Sequence, residues 1–129
     1  MYTTIAKVRN TGGCKSIPQT DVSDDAIEQF IVDAQNVING TLRSEYDVPF
    51  VDGSVPPEIE TLCKWGAAYF TMSEYPDKVF EQDLENTRIR FYDMLKQIKA
   101  GTLELTGVDR AETSIDIAVT STTKTDRWT

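Results

Sequence analysis

Apolar residues recur at Ile27, Phe30, Ile31, Ala34, Val37, Ile38 and Leu42, and again at Tyr46. Steps of three and four held over about five turns predict an amphipathic helix beginning near Ser23 or Asp25. Asp25 followed by Glu28 has capping-box spacing. Gly40 interrupts the pattern at about 1 kcal/mol relative to alanine, but the stripe resumes beyond it, so the helix is read as continuous. A second helix opens at Pro57, where a missing N–H does no harm. Its stripe is Ile59, Leu62, Cys63, Gly66, Ala67 and Phe70, and a second stripe runs through Trp65, Tyr69 and Met72. A helix apolar on two sides belongs at the centre of a bundle, and Gly66 lets a neighbour approach closely. A third helix is predicted over Lys78–Ala100, about 34 Å long, with Phe80, Leu84, Thr87, Phe91, Leu95 and Ile98 inward, Met94 alongside and Gly101 as its stop. Ahead of all three, "TTIAKVRNTGG" reads as a short helix capped by Thr3 or Thr4 and ended by Gly12-Gly13.

After Gly101 the period changes. "TLELTG" alternates like a short strand, and "SIDIAVTSTTKTDRWT" sets Ile115, Ile117 and Val119 on one side. Two readings stand side by side. One is a strand folded back on Leu103–Leu105 and ending in a loose tail. The other is an arm that pairs with another subunit, with Trp128 as anchor. The expected fold class is therefore mainly α: a small helical bundle (short N-terminal helix plus three longer helices) over residues 1–101, with an extended, partly β C-terminal arm over 102–129.

Composition narrows the function classes. A length of 129 residues suits one domain with an extension. No apolar run approaches the roughly 18 residues that span a bilayer, and the first ten residues lack the apolar core of a signal peptide. The expectation is a cytosolic protein without membrane contact. Cys14 and Cys63 are expected as reduced thiols, with Cys63 a small hydrophobe on a helical face. A formal charge of −8 opposes any grip on nucleic-acid phosphates. Asp21, Asp24, Asp25, Glu28 and Asp33 fall in a stretch with no base up to Leu42. They favour the start of a helix, or form a surface that DNA passes without sticking. The chain has no histidine, so the commonest general base and metal ligand is missing. Gly12-Gly13 with Lys15 lacks the spacing of a phosphate loop, and "DVSDD" lacks the glycine and downstream glutamate of a calcium loop. No catalytic activity and no cofactor are expected. The corner "EYDVPF" reads first as scaffold, with Tyr46 turned inward and Pro49 and Phe50 steering the chain toward Pro57, and second as an inter-subunit contact.

The order and spacing of "AIEQFIVDAQNVINGTLRSEYDVPF" and "VPPEIETLCKWGAAYF", behind the short leading segment "MYTTIAKVR", resemble the head–tail connector (adaptor) proteins of tailed bacteriophages. The likeness spans residues 1–101 and rests on joint order and length. Glu45 departs from it, since many relatives carry a base there, and "NTGGCKSIPQTD" shows no clear pattern of the family. What the resemblance implies is structural work in the virion neck after assembly in the host cytoplasm. Copies would form a homo-oligomeric ring, twelve-fold in such adaptors, under the portal protein. The ring extends the DNA channel and receives the next neck or tail completion protein, and DNA is only a non-specific passenger. The resemblance assigns portal or neighbour binding to Ile115, Ile117, Val119, Lys124, Arg127 and Trp128. It makes Asp24, Asp25, Glu28 and Asp33 the channel-facing acids. A different class fits the same helices: a small cytosolic interaction or regulatory domain with a disordered tail.

Overall fold

In a computed structural model, which describes residues 1–110, four α-helices are connected by turns: α1 (Ile5–Arg9), α2 (Asp24–Leu42), α3 (Pro57–Glu74) and α4 (Glu81–Ala100). The main-α expectation holds. α3 touches every other helix, as its two apolar stripes require. Ile59, Leu62, Cys63, Ala67, Ala68 and Met72 are all fully buried on it.

Local chemistry accounts for the ends. The Thr4 hydroxyl accepts from Lys7 N at 3.3 Å and caps α1. α1 closes at Asn10, before the glycines, and a 3-10 turn follows at Gly12–Ser16. The glycine pair is there for packing: Gly12 has φ 54°, and a Cβ on Gly13 would lie 2.7 Å from Met72 Sδ. Ser23, one of the two predicted starts, caps α2 by accepting from Ala26 N at 3.1 Å; Asp25 lies inside the first turn. α2 runs through Gly40 and stops at Leu42. Tyr46 N still donates to Leu42 O at 2.9 Å, so the turn keeps Tyr46 on the buried side of the stripe, 1% exposed. α4 ends at Gly101 with φ 86°, a left-handed stop that favours glycine.

Two expectations are corrected. The third helix does not begin at Lys78. A 3-10 turn occupies Pro76–Lys78, and Phe80 is the extended N-cap of α4, 74% exposed. Because Phe80 precedes the helix, helical periodicity does not govern it, and half-buried Val79 points inward toward Gly13. Nor does "TLELTG" form a strand; no strand occurs among the described residues. Its backbone groups find other partners. Leu103 N donates to Gln97 O at 3.1 Å, and Thr106 N to Glu58 Oε1 at 2.9 Å. The alternation still has meaning, since Leu105 is buried and Leu103 half-buried against the core.

The helices run up, down and up. Asp21, just before α2, pairs with Lys78 just before α4 at 3.4 Å. At the other end Arg110, beyond α4, reaches Glu45, beyond α2. The starts of α2 and α4 and the end of α3 therefore share one end of the bundle.

Candidate functional site

Three surfaces gather the polar and aromatic residues that the core does not absorb. The first is the corner after α2. Tyr2 docks edge-on against Phe50 with ring centroids 5.7 Å apart. Its hydroxyl donates to Asn39 Oδ1 at 2.7 Å and accepts from Phe50 N at 2.8 Å. Its own N–H donates to Gln35 Oε1 at 2.7 Å. The start of the chain thus clamps the corner, and the Val48–Pro49 peptide is cis. Tyr46 and Phe50 are buried, which leaves Pro49 as the exposed member of the three predicted corner residues.

The second surface is a strap, residues 102–110, laid across the end of the bundle. Thr106 donates to the Glu58 carboxylate through both N and Oγ1, at 2.9 and 2.7 Å. Arg110 does three things at once. It pairs with Glu45, donates to Ile98 O at 3.1 Å and Lys99 O at 2.9 Å, and lies 5.3 Å from the centre of the Tyr46 ring. Ile98 and Lys99 belong to the last turn of α4, where carbonyls lack helical partners, so the guanidinium caps the helix and favours its dipole. Hydrogen bonds from Ser44 and from Arg110 hold the Glu45 carboxyl below the usual carboxylate range. Burial pushes Glu58 up, but the two bonds from Thr106 outweigh it and the net shift is downward. Glu45, the residue that departs from the resembled pattern, is thus the anchor for this chain's own arginine.

The third surface is charged and aromatic. Asp24, Asp25 and Glu28 are exposed at the start of α2 and Asp33 is half-buried. Asp24 is engaged by Arg9 at 2.7 Å, and Asp33 accepts from Gln29 at 3.0 Å. Glu74, Asp77, Glu81, Asp83 and Glu85 lie at the same end on α3, its following turn and α4, which makes that end strongly acidic. A shallow cleft of about 220 Å³ opens there between Phe30, Asp33, Phe70, Ser73 and Glu74. Phe70 packs on Phe91 at 6.1 Å, and Phe91 on Tyr92 at 4.9 Å, so aromatic rings run from this cleft to the surface of α4. A polar hollow of about 310 Å³ lies between α1 and α3, bridged by Lys7 Nζ to Glu60 at 2.6 Å.

Both cysteines are free and buried, and desolvation pushes each thiol up to about 12. Such thiols are poor nucleophiles at neutral pH. Among the described residues, no group of three or more His, Cys, Asp or Glu side chains is arranged to hold a metal ion. No helix there is long and apolar enough to cross a membrane. The described residues present an acidic end, an aromatic ridge and a pinned exit from α4. The predicted arm residues Ile115, Ile117, Val119, Lys124, Arg127 and Trp128 lie outside the described residues. Sequence reasoning missed Arg110, Thr106 with Glu58, and the Tyr2 clamp. Their partners are 65, 48 and 37 positions away, with no local spacing to mark them.

Comparison with curated proteins and with solved structures returned no match. A profile of the bacteriophage family described as "Bacteriophage Mu, Gp36" matches residues 3–121, which takes in the whole bundle, the strap and part of the segment beyond it. On that span, the chain belongs to the bacteriophage Mu Gp36 family.

Proposed function

We propose that this phage protein is a structural subunit of a head–tail connector ring that docks under the portal protein. In this reading the ring extends the DNA channel and offers the attachment surface for the next neck or tail protein. Family membership supplies the phage context. The observation that carries the finer reading is the strap. Arg110 and Thr106 fix the exit of the chain at one end of the bundle, opposite the acidic end. A subunit bridging two neighbours needs such polarity, with an arm anchored on one side and a different surface on the other. The acidic end suits a channel wall, because clustered carboxylates repel phosphates and let DNA slide. Asp25 and Glu28, which pair with no base among the described residues, are better placed for that task than Asp24, which Arg9 neutralises. The arm residues past Arg110 would then meet the portal or an adjacent copy.

The test is assembly. The full chain, mixed with the portal protein of the same phage, is imaged by negative-stain microscopy and weighed by native mass spectrometry. A ring of this chain on the portal is the expected result. A protein that remains monomeric and ignores the portal refutes the proposal.

A further inference from the structure

The shallow cleft between α2 and α3 has a lining that neither the core nor the channel wall uses. Half-buried Phe30 and Phe70 supply its apolar part, and Asp33, Ser73 and Glu74 its polar part. Neither carboxylate joins an ion pair among the described residues, and the donor to Asp33 is the neutral amide of Gln29. Two phenyl rings beside two unpaired carboxylates suit an aromatic side chain carried next to a base, which gains ring packing and charge together. At 3.6 residues per turn, Phe30 lies about 140° around α2 from Asp25 and about 160° from Glu28. A side chain seated on Phe30 therefore leaves those two acids free for the channel wall. By sequence, the chain carries a matching segment. Past Arg110 its one aromatic residue is Trp128 and its two bases are Lys124 and Arg127, with Asp126 the one acid among them. Arg110 itself is held at the last turn of α4. From there to Trp128 the extended chain reaches at most about 60 Å. Phe30 lies about 18 Å along α2 from that end of the bundle, and a neighbour standing in the same direction is about 20–25 Å to the side, two helix diameters. Copies that all point the same way are thus within reach of each other's clefts.

We infer that residues 124–128 of one copy dock in the Phe30–Phe70 cleft of the next, with Trp128 against the rings and Lys124 and Arg127 at Asp33 and Glu74. The inference rests on the ring reading above and names the site that receives the arm. Asp33 then serves this cleft and not the channel wall. Tail and cleft are different patches of one molecule, so the contact is heterologous, and a closed ring fills every cleft with a neighbour's tail.

The experiment is a cross-link in the full-length chain, mixed with the portal protein of the same phage, with a thermal melt to confirm that each variant folds. The chain carries Ser73→Cys at the cleft and Thr129→Cys beside Trp128, and a short bismaleimide joins thiols that lie close together. Ser73 is exposed, whereas Cys14 and Cys63 are buried, so the introduced thiols are the ones that react. A denaturing gel should show a ladder of linked chains, because each link joins one copy to the next. Adding Trp128→Ala should cut the linked fraction about ten-fold, as the loss of an aromatic anchor does. A chain linked only to itself, a ladder that Trp128→Ala leaves unchanged, or a ring on the portal with no link overturns the docking site while the ring reading stands. If the wild-type chain forms no ring, alone or on the portal, the ring reading fails and the docking site with it.

Discussion

Gly66 and Gly40 both lie inside long helices, and the same substitution should act on them with opposite sign. A Cβ on Gly66 would sit 2.6, 2.9 and 3.0 Å from three ring carbons of Phe91. That ring is fully buried and wedged between Phe70 and Tyr92, so it has no room to retreat. Alanine gains about 1 kcal/mol in helix propensity over glycine. Overpacking against an immobile ring costs about 2–3 kcal/mol. Gly66→Ala should therefore destabilise by about 1–2 kcal/mol, the difference of those two terms. At Gly40 the nearest atom a Cβ would meet is Arg43 Nη2 at 3.8 Å, an ordinary contact. Gly40→Ala keeps the propensity gain and should stabilise by about 0.5–1 kcal/mol. For a chain of this size, 1 kcal/mol moves the melting temperature by about 3–5 °C. Differential scanning calorimetry should find Gly66→Ala lower by about 3–10 °C and Gly40→Ala higher by about 2–5 °C. A Gly66→Ala protein that melts at or above wild type would refute the claim that α3 and α4 meet ring against backbone.

Tyr2→Phe removes a hydroxyl that serves both Asn39 and the buried N–H of Phe50. Leaving that donor unpaired should lower stability by about 1–3 kcal/mol in urea titration, and a loss below about 0.5 kcal/mol would show that the clamp is dispensable. Glu45 and Glu58 both titrate below the ordinary value of 4.5 in the folded state. A depressed carboxyl stabilises above its unfolded pKa, and that contribution is lost as pH falls through the folded value. Melting temperature should thus decline as pH drops below about 4.5, and Glu58→Gln should flatten part of that decline; an unchanged slope would rule out the Thr106 contact as its source. With both thiols buried and raised to about 12, neither Cys14 nor Cys63 should react with a disulfide reagent at pH 8 until urea unfolds the chain. Rapid labelling of the native protein would contradict the packing around α3.

Periodicity alone was enough to locate the three long helices and the central place of α3, because burial of one helical face repeats every 3.6 residues and leaves its mark on neighbouring positions. Ser23, Pro57 and Gly101 marked ends for an equally local reason, since caps and stops act within one turn. Phe80 shows the limit: it continues the stripe in sequence but precedes the helix in space, so tertiary structure turned it to solvent. The strand expected at Leu103–Leu105 failed for a related reason. Alternation predicts which side is apolar, whereas a strand also needs a partner ladder, and here helix carbonyls and Glu58 satisfy the backbone instead. The candidate site was legible as acids at the start of α2, but not as a polar molecule with a pinned exit. That polarity exists only once α2 and α4 lie side by side, so that Glu45 can meet Arg110 and Asp21 can meet Lys78. Local sequence decided which segments are helical and which face of each is dry. The fold decided which distant charges become neighbours, because electrostatic partners are chosen by distance in space and not along the chain.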